Sequence, residues 1–157
     1  MVSLDIIQEI VAKFTKSKTT LAIAESCTGG YVSNMITNIS GASKVFERGI
    51  VCYSNLSKST LLNVDPDDIV KYGAVSEIVA KQLANNIRAL SNVTIGIGIT
   101  GVAGPTGGTP EKPVGLVYIG FSTQKETIVE KHQFNVDRIT FKRKVFEKVL
   151  SLLQNVF

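Results

Sequence analysis

Short apolar runs alternate with segments of helical periodicity along the whole chain, and no other feature narrows the fold as much. Leu4 to Phe14 places Ile6, Ile7, Ile10, Val11 and Phe14 on one helical face. Thr20 to Ala24 (TLAIA) is a short apolar run of the kind carried by a buried strand. It ends in Glu25-Ser26-Cys27-Thr28-Gly29-Gly30, after which Val32, Met35 and Ile36 follow at helical spacing. Phe46 to Tyr53 predicts a second strand. Short helices are expected over Ser57–Leu62 and Pro66–Tyr72, where Pro66 suits a first helical turn. Ser76 is the expected N-cap of a longer helix that turns Val79, Leu83, Ile87 and Leu90 inward. Val93 to Thr100 (VTIGIGIT) predicts a strand whose glycines imply close approach of another backbone. Beyond a loop rich in glycine and proline, Gly101 to Pro113, the runs Val114–Ser122 and Thr127–Phe134 predict an antiparallel hairpin. An amphipathic helix from Phe141 to Val156 closes the chain, with Val145, Val149, Leu152, Leu153 and Val156 inward. The pattern predicts one α/β domain over residues 1–157, with helices on both faces of a mixed, mostly parallel sheet.

Composition agrees with such a core. A chain of 157 residues fits one domain, and 44% hydrophobic against 19% charged residues excludes a disordered chain. No apolar run approaches the ~18–20 residues of a membrane-spanning helix. Met1 to Phe14 carries Asp5 and Glu9 and does not read as a secretory signal, so a soluble cytoplasmic protein is expected. Lys and Arg exceed Asp and Glu by 17 to 13, a net charge of +4. The dense basic stretch Arg138, Lys142, Arg143, Lys144 and Lys148, with Lys131 before it, is read as the polar face of the last helix rather than a nucleic-acid surface. Cys27 and Cys52 form neither a disulfide framework nor a Cys-x-x-Cys pair. His132, the single histidine, supports no zinc spacing and reads as a surface or strand residue.

Ligands of open α/β sheets gather at the carboxyl ends of strands. One strand-end loop here is Glu25 to Gly30, where N–H groups at a helix start, unobstructed beside glycines, would cradle an anion. Ser26 and Thr28 add hydroxyls, and an ordinary strand-to-helix turn is the competing reading. Another runs from Thr100 through Gly101, Val102, Ala103, Gly104 and Pro105 to Gly107-Gly108, with N–H groups suited to an oxyanion or, on the plainer reading, a flexible surface loop. Between them lie Gly41-Ala42-Ser43 and, past the second strand, Tyr53-Ser54-Asn55-Leu56-Ser57-Lys58. Without a catalytic histidine, a hydroxyl nucleophile needs another base, and Ser–Lys pairs are a known solution. Lys58 fills that role only if its surroundings lower its pKa from ~10.4; otherwise it is a solvated lysine on a short helix. Taken alone, the residues favour Ser26 over Ser43 as nucleophile, because Ser26 sits in the glycine-rich turn.

Several stretches together carry a resemblance: Ala24 to Gly30, Phe46-Glu47-Arg48-Gly49, Tyr53-Ser54-Asn55 with Lys58, Gly73-Ala74-Val75-Ser76, Thr100 to Pro105, and Glu111-Lys112-Pro113-Val114-Gly115. In this order, and over nearly the whole chain, they resemble the CinA C-terminal domain family, which includes nicotinamide-nucleotide amidohydrolases. The resemblance implies a single α/β/α layered domain that deamidates nicotinamide mononucleotide to nicotinic acid mononucleotide and ammonia, in pyridine nucleotide salvage. It implies Ser43 as nucleophile, in place of Ser26, with Lys58 as base and Tyr53 as assisting residue. Glu25, Ser26, Thr28, Gly29, Gly30, Asn55, Thr100, Gly101, Ala103 and Gly104 become expected substrate-binding residues. Arg138 joins them, at the substrate phosphate, if the last helix starts near the cleft. No metal or cofactor, a small nucleotide substrate, no nucleic acid or membrane partner, and self-association are implied. Larger members carry an N-terminal domain resembling molybdopterin-binding proteins, so this sequence resembles the stand-alone form. The competing expectation is a regulatory module that binds a nucleotide without turning it over.

Overall fold

β1 (Leu21–Glu25) is an interior strand of a five-stranded sheet because every one of its residues is apolar or internally satisfied and all five are buried. The chain is described by a computed structural model over residues 4–156; Met1 lies outside the described residues. Before β1 comes α1 (Leu4–Ser17), and after it α2 (Tyr31–Thr37), a 3₁₀ turn (Ala42–Lys44) and β2 (Phe46–Val51). Then follow α3 (Asn55–Leu62), α4 (Pro66–Tyr72), α5 (Glu77–Ser91) and β3 (Ile95–Gly101). The chain ends with β4 (Leu116–Ser122), β5 (Thr127–Gln133) and α6 (Arg138–Gln154). The strand order is β2-β1-β3-β4-β5. β1 pairs in parallel with β2 and β3, while β3–β4 and β4–β5 are antiparallel, so β4 alone runs against the others.

The strand period of two sorts the core into layers. Leu21 and Ile23 of β1 and Ile95, Ile97 and Ile99 of β3 face a cluster built with α1, α2 and α6. Ala22 and Ala24 face the opposite cluster, made by Leu62, Ile69, Leu83 and Ile87 of α3, α4 and α5. The helix that the β3 glycines were expected to admit is α5. A Cβ on Gly98 would stand 2.5 Å from the Ala84 nitrogen and 2.6 Å from Leu83 Cβ, so only glycine lets α5 lie this close. Among the described residues no helix is long and apolar enough to cross a membrane.

Helix starts follow capping chemistry. Ser76 caps α5 as expected, accepting from the Val79 N–H at 3.3 Å. α6 begins at Arg138, earlier than the Phe141 expected from its apolar face, because the Asp137 carboxylate accepts from the Ile139 and Thr140 N–H groups. Hydrogen bonds, chiefly that of the Thr140 hydroxyl, hold the Asp137 carboxyl below the ordinary aspartate range. The earlier start brings Arg138 into the helix's first turn.

Candidate active site

Ser26 is the first residue past β1, and the sheet still holds it from both sides. Its N–H donates to the Ile99 carbonyl at 3.0 Å, while the Glu25 carbonyl just before it accepts from the Cys52 N–H at 2.9 Å. Lys58 arrives from the neighbouring strand end. The chain leaves β2 at Val51, and Ser54 caps α3 by accepting from the Ser57 N–H at 3.0 Å. Lys58 therefore sits one turn into α3, with its side chain turned back over the strand ends; it is only 1% exposed.

The Lys58 amine lies 2.9 Å from Ser26 Oγ, 2.9 Å from the Cys52 carbonyl oxygen and 3.2 Å from the Tyr53 carbonyl oxygen. No carboxylate is among these partners. Burial lowers the Lys58 pKa from the ordinary lysine value, outweighing the opposing influence of Cys52 and Cys27. A neutral amine has two N–H donors and one lone pair. As placed here the amine donates to all three oxygens; once neutral it would keep its two N–H donors for the carbonyls and offer its lone pair to the Ser26 hydroxyl proton. This is the arrangement of a general base beside a nucleophile.

The pair lies at the base of a cavity of about 280 Å³. One wall is the β3–β4 loop from Thr100 to Gly107, and the other is Ala74 and Val75 between α4 and α5. The Thr100 hydroxyl ties the two walls by donating to the Ala74 carbonyl at 2.8 Å. Arg138 spans the rim: its guanidinium donates to the Gly104 carbonyl at 2.8 Å and to the Tyr53 hydroxyl at 2.9 Å. Lys142, one turn on in α6, brings its amine to 3.7 Å from where a Cβ on Gly29 would stand.

Of the residues expected from sequence, Ser26, Tyr53, Asn55, Lys58, Thr100, Gly101, Ala103, Gly104 and Arg138 line this cavity. Three expectations need correction. Ser43 does not meet Lys58. It is exposed in the 3₁₀ turn that enters the amino end of β2, whereas Lys58 follows the carboxyl end, and six strand residues separate those ends by roughly 20 Å. Glu25, Thr28, Gly29 and Gly30 are not part of the cavity lining, and the turn is not an open anion cradle. The Glu25 carboxylate already occupies it, accepting from the Gly30, Val32 and Ser33 N–H groups. Tyr53 offers Lys58 its carbonyl, while its hydroxyl belongs to Arg138.

Sequence reasoning gave Ala74 and Val75 no place in the lining; Cys27, Val102, Thr106 and Gly107 belong to the two loops it had singled out, though it named none of them as a substrate contact. The Gly73–Ser76 stretch was visible as a motif, and its only missing ingredient was a position in space. Cys27 adjoins Ser26, but burial pushes its thiol up to about 12, so it carries no thiolate at neutral pH. His132 lies apart on β5, 2.7 Å from Glu130 and stacked on Phe134.

The fold recurs in known proteins. A crystal structure of the competence/damage inducible protein CihA from Agrobacterium tumefaciens is similar with a TM-score of 0.92 at 32% identity, covering 96% of this chain and 92% of that one. A CinA-like protein of Kosmotoga olearia is 49% identical over 133 residues, 84% of this chain. A Thermoanaerobacter sp. (strain X514) protein, provisionally described as competence-damage inducible, is 48% identical over 148 residues, 94% of this chain. The chain spans only about a third of the curated relatives it matches, 32% of the Kosmotoga protein and 36% of the Thermoanaerobacter protein. The CinA C-terminal domain family matches residues 4–157, so the match takes in every element described above, and the chain belongs to that family.

Proposed function

We propose that this chain is a serine amidohydrolase that deamidates nicotinamide mononucleotide, with Ser26 as nucleophile and Lys58 as its base. The observation that carries this reading is the 2.9 Å approach of a buried, carboxylate-free lysine amine to a hydroxyl at a strand end. Ser26 Oγ bonds to the carboxamide carbon as its proton passes to Lys58. Lys58 then returns the proton to the amide nitrogen, the C–N bond breaks and ammonia leaves. Water, deprotonated by the same amine, attacks the acyl-serine and releases nicotinic acid mononucleotide and free Ser26. Main-chain N–H groups of the pocket-lining Cys27 and of the Ala103–Gly104 segment are the donors we assign to the oxyanion. One such donor is worth roughly 3–4 kcal/mol where it has been removed in other enzymes.

Arg138 supplies the positive charge that a phosphate monoester needs. Tyr53 then assists by steadying Arg138. A cavity of about 280 Å³ favours a mononucleotide over a dinucleotide.

Ammonia release from nicotinamide mononucleotide tests the proposal. The wild-type chain is expected to release it. Ser26→Ala and Lys58→Ala should each cut the rate at least about a thousandfold, and Ser43→Ala should leave it unchanged. Binding of the nucleotide without ammonia release would favour the regulatory-module reading instead, and turnover by Ser26→Ala would remove Ser26 from the mechanism.

A further inference from the structure

Glu25 is a fully buried carboxylate with no ion-pair partner among the described residues. Five donors converge on it instead, all from the next eight residues. Oε2 accepts from the Thr28 hydroxyl at 2.6 Å and from the Gly30 and Val32 N–H groups at 3.1 Å each. Oε1 accepts from the Ser33 N–H at 2.8 Å and the Ser33 hydroxyl at 2.6 Å. The turn inside this knot is the one that carries Ser26, and its own backbone closes it with only two hydrogen bonds, from the Gly29 N–H to the Ser26 carbonyl at 3.0 Å and from the Tyr31 N–H to the Thr28 carbonyl at 3.1 Å. Gly29 and Gly30 sit at φ +58° and +94°, where glycine has wide freedom. The sheet fixes only the Ser26 N–H. What ties the turn's far side and the start of α2 back to the end of β1 is the Glu25 carboxylate.

From this we infer that Glu25 is a positioning residue for Ser26: its carboxylate sets the path of residues 26–33, and with it the aim of Ser26 Oγ into the cavity and at Lys58. The role rests on the amidohydrolase reading for its purpose, but the geometry that carries it does not. It also makes a specific demand on chemistry. All five partners donate to Glu25, and three of them are main-chain N–H groups that cannot turn around. Glutamine has the same shape but only one acceptor oxygen. In its better orientation the substituted side-chain amide would still face the Ser33 N–H donor to donor, so Glu25→Gln should fail where shape alone would predict success.

A fluorophosphonate reagent reads Ser26 directly: Oγ bonds to phosphorus, fluoride leaves, and the labelled peptide is identified by mass spectrometry. In Glu25→Gln the labelling rate constant should fall on the order of a hundredfold, the size expected for a nucleophile displaced by about 1 Å. Ser33→Ala, which removes one donor and is the gentler change, should lower it several-fold. kcat for ammonia release should fall in parallel, with KM within twofold of wild type. A merely structural role would reduce the labelled fraction and leave the rate constant of the folded fraction unchanged, and that result would overturn the inference. If Glu25→Gln does not fold, Ser33→Ala decides by the same rate constant. A wild-type chain that labels at Ser26 but releases no ammonia would refute the substrate and leave the positioning test intact. A wild-type Ser26 that resists the reagent would refute the positioning role, since no activated hydroxyl would be there to aim.

Discussion

A lysine is usually a solvated cation, and Lys58 differs in having been carried inside without an acid to balance it. Its charge is opposed by burial, so the proton it would hold in water is held less tightly here. The sign of the pH dependence follows. kcat/KM should rise as pH rises through the lowered Lys58 pKa and level off at a pH below the ordinary lysine value. The same shift acts on stability. The unfolded chain binds the lysine proton more tightly than the folded one, so the burial penalty is complete below the folded pKa and fades as pH climbs toward the unfolded value. Lys58→Arg separates charge from basicity, because a guanidinium stays protonated. Ammonia release from that variant should fall to the Lys58→Ala level at every pH, and a residual rate that still rises with pH would assign the base elsewhere. At this scale the sequence was legible in part. Ser26 stood out by its glycine-rich turn, but the contact it makes spans 32 residues of chain. Periodicity carries no information on such a contact, and the carry-over to Ser43 had no geometry to check it. The Glu25 side chain was read as facing a ligand because sequence cannot show that the turn's own N–H groups have claimed it.

Elements were more legible than contacts, since each strand and helix announces itself by local pattern. The β3 glycines in Val93–Thr100 pointed to a close neighbour, and the neighbour is α5. Gly98→Ala measures how closely. The added methyl group would press on the Ala84 nitrogen, on Leu83 Cβ and, at 2.7 Å, on the Ala80 carbonyl, all on the inner face of α5. Two of these three are main-chain atoms of a regular helix, so relief requires the whole helix to shift. Overpacking of this kind costs about 1–3 kcal/mol, readable as a lower denaturant midpoint at unchanged slope. Wild-type stability in Gly98→Ala would mean that α5 moves freely over the sheet. The last helix shows where local pattern misleads. Its apolar face begins at Phe141, yet its hydrogen bonding begins at Asp137, where a cap needs only an Asp followed by free N–H groups. Boundaries are set by caps and cores by periodicity, and the two need not start together.

The position of the cavity belongs to the whole molecule. From β1 the chain crosses to β2 by way of α2 on one face of the sheet. It then returns past β1 to β3 by way of α3, α4 and α5 on the other face. Connections that part in opposite directions leave a crevice outside the carboxyl ends of the strands, where ligands of open α/β sheets bind. Ser26, Lys58 and Thr100 come from the ends of β1, β2 and β3, and α6 delivers Arg138 over them. Strand order is the information sequence withheld: the loops could be placed at the carboxyl ends of their strands, but not which of those ends lie side by side. If the crevice holds a nucleotide by its phosphate, binding must stabilise the entire fold. Nicotinic acid mononucleotide at a hundred times its Kd should add about 2.7 kcal/mol. For a chain of this length that is a rise in Tm of roughly 5–10 °C. Ser26→Ala should show the same rise, because it retains Arg138 and loses only the nucleophile. Arg138→Ala should lose most of it, and so should the wild-type chain offered the corresponding riboside, which has no phosphate. A full shift with the riboside would place the recognition on the ring and sugar, and would leave Arg138 as a rim residue that only bridges Tyr53 and Gly104.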